Sequence, residues 1–238
     1  MRKSILAPFL LAALCLAATA ATAVPIGAPA QALRPRSFSV SALVGFALRD
    51  VHEDRDSGIG EMATSSRLLV KATFAPTRFL DLYGTVGAAD WRMREAGLES
   101  VLGVWYGGGF RLRVFPWFWQ EDGFLNVEID AQALALSTSS GSANAGAFGN
   151  RDVRVGYWEY QGTLLVSKRF EVFVPFVGVC YNRSGVHFVP GGSRNSRPDF
   201  DWGALVGLEY SITPQVYFTG EVHIFTENSF YLGAGFAY

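Results

Sequence analysis

The residues best suited to chemistry are the three histidines, because histidine is the usual general base near neutral pH. They are His52, His187 and His223. A hydrolase needs such a base beside a nucleophile or an activated water molecule. His223 follows Glu221 by two residues, and in a strand this spacing puts both side chains on one face. The spacing favours a hydrogen-bonded pair inside the fold, and the sequence predicts no catalytic site.

A group of carboxylates forms the second candidate site, in the segment DVHEDRDSG at positions 50–58. Oxygen ligands of this kind suit Ca²⁺. Asp50, Glu53, Asp54 and Asp56 do not, however, follow the spacing of an EF-hand loop. A solvated acidic loop is therefore expected, and we predict neither a metal site nor a cofactor.

Most of the remaining charged residues alternate with apolar residues, so that the two kinds lie on opposite faces of strands. If the apolar face meets lipid, the charged face lines the lumen of a closed tube. The predicted lumen charge network comprises Arg49, Arg67, Lys71, Arg111, Arg113, Glu128, Asp130, Glu159, Glu209, Glu221 and His223, with Asp81 and Asp201 as further inward acids.

Two interpretations of this network remain open. Paired charges can fill a narrow barrel, with Arg111 opposite Glu128 and Arg113 diagonal to it. Alternatively, the charges line a narrow path for ions or small solutes and set its selectivity.

Ten segments have the two-residue period that positions these side chains. The closing stretch FYLGAGFAY, 230–238, is typical, with apolar residues at even positions and small or polar-tipped residues between them. The seventh segment is apolar on both faces; we take Phe173, Val177, Val179 and Tyr181 as its lipid face. The segments are 38–48, 67–74, 80–88, 104–114, 125–133, 157–167, 172–182, 202–210, 216–224 and 230–238.

Strands can cross a bilayer only in a closed sheet, because an open edge leaves backbone groups unpaired at a cost of several kcal/mol each. The predicted fold class is all-β: a closed antiparallel transmembrane β-barrel of about ten strands, with eight as the alternative and with periplasmic termini. Tight turns near Pro76 and Pro214 alternate with longer connections such as 50–64 and 91–101, as in outer-membrane barrels.

Aromatic residues near both strand ends predict two interfacial belts, with Trp91 and Trp158 in the outer belt. The competing interpretation is a soluble β-sandwich or lipocalin-like barrel with its apolar face inward. Glycines such as Gly107 and Gly207 on the other face argue against this, because they are poor choices for a strand surface in water and instead make room for large neighbours in a narrow lumen.

The phrases LDLYGTVGAADW (80–91), WGALVGLEY (202–210) and FYLGAGFAY resemble the small bacterial outer-membrane β-barrel domain family. This family includes OmpA-type, OmpX-type and opacity-protein-like barrels, which usually have eight strands. The resemblance implies a location in the Gram-negative outer membrane, contact with outer-membrane lipids and lipopolysaccharide, and insertion by the barrel-assembly machinery through the C-terminal strand. It further implies a monomer with a structural or surface-interaction role; a small passive, porin-like channel is the alternative.

Enzymes are also found among such barrels: the strand count resembles that of omptin proteases, and the small size resembles that of lipid A deacylases. The deacylase pattern implies a serine two residues after the histidine, whereas Ile224 and Phe225 follow His223. We therefore expect a protein that is not an enzyme.

Three regions are predicted: a signal peptide at 1–23, a disordered periplasmic leader at 24–36 and the barrel domain at 37–238. Arg2 and Lys3, the apolar run after them and the triplet ATA at 21–23 make up the signal. The chain has a formal net charge of −1, too weak to predict a nucleic-acid partner. Without the signal, Cys180 is the sole cysteine, which excludes an intramolecular disulfide.

Overall fold

A computed structural model describes residues 35–52, 60–93, 98–114, 125–138, 141–143, 151–189, 192–194, 201–225 and 228–238. The predicted signal peptide and nearly all of the predicted leader lie outside these residues. The long strands are β1 Ser37–His52, β2 Gly60–Ala75, β3 Leu80–Met93, β4 Leu98–Arg113, β5 Leu125–Thr138, β6 Arg151–Lys168, β7 Phe173–Val189, β8 Trp202–Ser211, β9 Val216–Ile224 and β10 Asn228–Ala237.

All ten long strands belong to one antiparallel sheet that closes on itself. β1 pairs with β2 on one side and with β10 on the other, where the register runs from Ser39 opposite Ala237 to Leu48 opposite Asn228. Short strands Gly141–Ala143 and Gly192–Arg194 extend the sheet beside β6 and β7. The described residues include no helix long and apolar enough to cross a membrane. The predicted ten-stranded closed barrel is confirmed.

The register fixes the stagger of the barrel. A row of residues in register on successive strands starts at Ala42 of β1 and reaches Gly185 of β7. It passes through Val70, Val86, Tyr106, Ala135 and Trp158. The row in the other direction, through Ala234, Phe218 and Tyr210, reaches Phe173 of the same strand. The offset, 185 − 173 = 12 residues, is the shear number.

Ten strands with this shear give a strand tilt of about 40° and a backbone tube roughly 20 Å across, taking standard strand spacing and rise. Long side chains from opposite walls can therefore meet in the middle. The barrel is narrow enough for its inward residues to fill it.

The apolar face of the strands points outward. Val44 is 50% exposed and Val206 is 54% exposed, whereas the carboxylate-bearing Glu128 is 1% exposed. Exposed apolar positions and buried charges are the reverse of a soluble core, so the soluble sandwich or lipocalin-like alternative is wrong. The predicted phase of β7 is confirmed, because Val177 and Val179 are exposed and the neighbouring Phe176 is buried.

Two predicted side-chain positions are wrong. Trp91 is fully buried inside the barrel and does not belong to the outer aromatic belt. β3 runs on to Met93 and β4 starts at Leu98, so the expected loop 91–101 shrinks to 94–97 and the inward alternation continues through Trp91. Asp201 stands at the bend before β8 and is exposed, so it does not line the lumen.

The strands differ in length around the barrel. β1 to β7 have 14 to 18 residues, whereas β8, β9 and β10 have 10, 9 and 10. The first described segment begins at Pro35 and the last one ends at Tyr238, and both of these residues lie at the end of the barrel with the tight turns. There the Tyr238 amide donates to the Phe38 carbonyl at 2.8 Å. We call this the turn end and the opposite one the loop end; that the turn end faces the periplasm stays a prediction.

Brominated phospholipids are expected to separate the tryptophans by face. A variant that retains only Trp158, which is 39% exposed on the outer surface, should lose most of its fluorescence in these lipids. A variant that retains only Trp105, which is 0% exposed, should keep most of it. Steady-state fluorescence of both variants in brominated and ordinary vesicles provides the measurement. Equal quenching of the two would contradict the assignment of the faces.

Candidate functional site

Two groups of interacting polar and aromatic side chains stand out among the described residues of the barrel interior, which also include a small apolar cluster of Leu165, Phe176 and Leu205. The first, which we call the ionic layer, lies toward the turn end on β2 to β5. Its members are buried or nearly buried charged and polar residues: Lys71, Asp81, Tyr83, Arg111, Arg113, Glu128 and Asp130.

Arg113 closes the turn end of the ionic layer. Its guanidinium binds both carboxylate oxygens of Asp81, with Nη2 at 2.6 Å from Oδ2 and Nη1 at 3.3 Å from Oδ1. Nη1 also donates to the carbonyl of Arg78 in the β2–β3 turn at 3.0 Å, and Nε lies 3.4 Å from Oε1 of Glu128. One guanidinium therefore joins the walls of β3 and β5 and one turn.

Arg111 continues the layer one step toward the loop end. Its Nε lies 3.2 Å from Oδ2 of Asp130 and 3.6 Å from Oε2 of Glu128. The predicted pairing was wrong by two residues: Arg111 faces Asp130 in the register, and Arg113 faces Glu128. The β4–β5 connection, 115–124, lies outside the described residues. The length of this connection sets the register of the hairpin, and the sequence alone did not show it.

Tyr83 and Lys71 complete the ionic layer. The Tyr83 hydroxyl donates to Oδ1 of Asp130 at 2.5 Å, and the Lys71 ammonium lies 3.5 Å from the centroid of the Tyr83 ring. A cation over an aromatic face is stabilised by the ring quadrupole. Tyr83 therefore contacts the Lys71 cation through its ring and the Asp130 carboxylate through its hydroxyl.

The second group, which we call the aromatic layer, lies nearer the loop end. It starts at a row of three residues on adjacent strands, because Gly45 of β1 is in register with both Tyr231 and Arg67. The Tyr231 ring lies over Gly45, where an added Cβ would come within 2.0 Å of the ring. This lets the Tyr231 hydroxyl reach Arg67 on the far side and accept a hydrogen bond at 2.9 Å from Nη1.

From Arg67 the contacts continue across the lumen. The guanidinium lies 4.1 Å from the Trp105 ring, and Trp105 stacks on Tyr157 with 5.6 Å between the ring centroids. Trp91 also packs against Tyr157, with 5.2 Å between the ring centroids. The aromatic layer therefore runs from β10 through β2, β3 and β4 to β6.

This chain of contacts ends at Glu159 of β6, which also binds a residue of β7. Its carboxylate accepts hydrogen bonds from the Tyr157 hydroxyl at 2.5 Å and from Nδ2 of Asn182 at 2.6 Å. The side chain is fully buried. The two donors stabilise a carboxylate that burial alone would destabilise.

Sequence reasoning missed the apolar part of the lumen. Apolar side chains that face the lumen pack with the aromatic layer. Among the described residues they include Leu43, Leu69, Leu134 and Leu136. A signal was available: the segments LLV at 68–70 and ALAL at 133–136 are apolar on both faces, which a wholly polar lumen does not require.

His223 lies on β9 beside the aromatic layer. Its Nε2 is 3.1 Å from Oε1 of Glu221, its ring makes an edge contact with Tyr231 at 6.0 Å, and the Cys180 thiol interacts with it. A thiol, an imidazole and a carboxylate resemble the parts of a nucleophilic site. All three side chains are at most 1% exposed, so no substrate reaches them in this conformation.

The structure places the remaining predicted lumen residues as follows. Glu209 on β8 and Glu221 on β9 are inward and buried. The side chain of Arg49 and most of the acidic first loop lie outside the described residues. Among the residues that the structure describes, no group of three or more His, Cys, Asp or Glu side chains is placed to hold a metal ion.

Comparisons with known proteins agree with the architecture. No family model matches the chain, and no curated protein matches it. An outer-membrane channel from Pseudomonas putida F1 has a similar structure, with a TM-score of 0.50, 9% identity and coverage of 91% of this chain and 100% of that one.

Two further solved structures are more distant. The attachment invasion locus protein Ail of Yersinia pestis has a TM-score of 0.29 and 11% identity, covering 86% of this chain and 99% of that one. The Ralstonia pickettii toluene transporter TbuX has a TM-score of 0.32 and 11% identity, covering 86% and 89%. The fold of the chain is that of a bacterial outer-membrane β-barrel, a closed tube with an apolar outside.

Proposed function

We propose that the protein is a closed outer-membrane barrel that conducts neither ions nor solutes and acts as a scaffold for surface interaction. The observation that carries this proposal is the filled lumen. The ionic layer joins the neighbouring strands β2 to β5, and the aromatic layer crosses the lumen from β10 and β2 to β6, through side chains that are almost all less than 10% exposed. A tube roughly 20 Å across between backbones leaves no wide channel when arginine and tryptophan side chains meet in it.

The pairing within the ionic layer supports a structural role for its charges. Each arginine there contacts two carboxylates, and Arg113 binds one of the two, that of Asp81, with a bidentate geometry. Such pairs hold a fixed arrangement, because separating them would leave buried charges without partners. In a selectivity ring, by contrast, charges face a path that passing ions use.

Planar-bilayer recording tests the proposal. The purified, folded protein is expected to give no steady openings in 1 M KCl, since no continuous aqueous path crosses the two layers. Arg111→Ala should likewise stay silent, because the aromatic layer still blocks the loop end. The exposed Arg92→Ala variant is the matched control. Steady openings of the wild type whose size changes in Arg111→Ala, but not in Arg92→Ala, would defeat the closed-barrel proposal.

A narrow cation channel is the second candidate function. Among the described inward residues, carboxylates outnumber permanent cations, and the inward charged residues of β6, β8 and β9 whose burial the structure describes are the acids Glu159, Glu209 and Glu221. An acidic wall would attract cations and exclude anions. The similar Pseudomonas structure is described as a channel. If the wild type does conduct, a reversal potential in a KCl gradient that shows cation selectivity would favour this candidate.

The same proposal includes the partners expected from the sequence. We infer that the protein is a monomer, that it contacts outer-membrane lipids and lipopolysaccharide, and that the barrel-assembly machinery recognises it through β10. We also place no catalytic step in the protein, since the His223 group is sealed inside the barrel. We expect the His223→Ala variant to keep the fold and the surface exposure of the wild type and to lose no activity that the wild type shows.

A further inference from the structure

We propose that the turn end of the barrel binds the phosphate groups of anionic glycerophospholipids. The binding surface, which we call the basic rim, consists of Arg36, Arg78, Lys168 and Arg169. This inference does not depend on whether the lumen conducts, because the rim lies outside the barrel wall.

Two cations of the basic rim are held against aromatic rings. The Arg78 guanidinium lies 4.5 Å from the centroid of the Phe79 ring, and the Lys168 ammonium lies 5.0 Å from that of Phe170. The first pair lies in the tight turn 76–79, and the second joins the last residue of β6 to the tight turn 169–172. Rings of the interfacial belt sit at the level of the lipid headgroups. The cations stacked on them are therefore positioned at the height of the phosphates.

Arg36 adds a third cation close to Arg78. Its backbone amide donates to the carbonyl of Ala75 at 2.7 Å, which fixes it beside the start of the β2–β3 turn. Its φ is 66°, in the left-handed region that few non-glycine residues adopt. The side chain is exposed. Arg36 and Arg78 thus belong to the side of the basic rim at the β2–β3 turn, and Lys168 and Arg169 belong to its side at the β6–β7 turn.

The balance of charge at this end favours an anionic lipid. The described tight turns contain two cations, Arg78 and Arg169, and one acid, the exposed Glu171, while Arg36 and Lys168 beside the turns add two further cations. Guanidinium groups bind phosphate oxygens through two parallel hydrogen bonds. Phosphatidylglycerol carries a net negative charge, whereas the phosphate of phosphatidylcholine is neutralised within its own headgroup. Each cation near an anionic surface contributes roughly a fivefold gain in affinity.

The third described turn, 212–215, offers an internal comparison. Its sequence, ITPQ, has no charged residue, although Tyr210 and Tyr238 provide aromatic rings at the same end. If the rings alone recruited lipid, all three turns would be equivalent. We assign the phospholipid preference to the two charged turns.

Native mass spectrometry of detergent-solubilised protein tests the assignment. The full chain is incubated with equal amounts of phosphatidylglycerol and phosphatidylcholine, and the ratio of bound lipids is measured. We expect the wild type to retain phosphatidylglycerol about tenfold over phosphatidylcholine. The quadruple variant Arg36→Gln, Arg78→Gln, Lys168→Gln, Arg169→Gln should bring this ratio close to one, because it removes the four charges of the basic rim and leaves the rings.

Controls separate the possible sources of a change. The loop-end variant Arg92→Gln, Arg183→Gln should keep the wild-type ratio, and a heat-modifiable gel shift verifies that each variant is folded. Equal retention of the two lipids by the wild type, or an equal loss in the loop-end variant, would overturn the proposal. Displacement of the bound lipid by millimolar inorganic phosphate would also overturn it, since the site would then recognise a soluble anion.

Discussion

Replacing Arg111 with alanine is expected to lower the free energy of unfolding by about 3–5 kcal/mol. The guanidinium is 5% exposed and lies between the carboxylates of Glu128 and Asp130 at 3.6 and 3.2 Å. Without it, two buried acids on one strand are left next to each other without their shared cation. Chemical denaturation of the protein folded in phospholipid vesicles, followed by tryptophan fluorescence, provides the measurement.

Arg92→Ala is the matched control for this prediction. Arg92 pairs with Asp90 at 2.7 Å, but its side chain is 47% exposed. Exposed ion pairs typically contribute less than about 1 kcal/mol. A loss in Arg111→Ala no larger than that in Arg92→Ala would mean that water screens the ionic layer. The lumen would then be hydrated, and the closed-barrel proposal would lose its main support.

A comparable loss, about 3–5 kcal/mol, is expected for Trp105→Ala. Trp105 is fully buried, stacks on Tyr157 and has the Arg67 guanidinium 4.1 Å from its ring centroid. The truncation leaves a cavity at the centre of the aromatic layer. It also removes the ring that stabilises a buried cation, so the cost exceeds that of lost apolar contact alone.

The neighbouring residue provides the comparison. Tyr106 is 51% exposed on the outer face of the same strand, so Tyr106→Ala should cost only about 1–2 kcal/mol. Trp105→Phe should retain part of the stability by preserving the stack on Tyr157. Similar losses in Trp105→Ala and Tyr106→Ala would show that the interior of the barrel is no better packed than its surface.

The number of strands and their lipid faces could be predicted because both follow from local alternation. Val44 and Leu68 are outward for the same reason that Lys71 is inward: successive side chains of a strand point to opposite sides. Closure then follows from the chemistry of hydrocarbon, which offers no partners to open edges. None of these inferences needs a contact between distant residues.

The features that could not be predicted depend on the position of one strand relative to another. The pairing of Arg111 with Asp130 is set by the path of the chain between β4 and β5, which local alternation does not fix. Trp91 was misplaced because polar residues such as Asp90 and Arg92 resemble a loop, although here they are the outward residues of a strand that continues past the apolar belt. The three-strand row of Tyr231, Gly45 and Arg67 joins positions almost 190 residues apart in the chain.

The unequal strands have a consequence for the surrounding bilayer. A strand of ten residues tilted by about 40° rises only about 25 Å along the membrane normal, less than the roughly 30 Å of an average hydrocarbon core. β8, β9 and β10 are of this length or shorter, whereas β1 to β7 rise well beyond it. A rise of about 25 Å matches the apolar band of outer-membrane barrels, so β8 to β10 are just long enough to cross. The wall of the tube therefore projects beyond the membrane on the side of β1 to β7 and ends near the membrane surface on the side of β8 to β10.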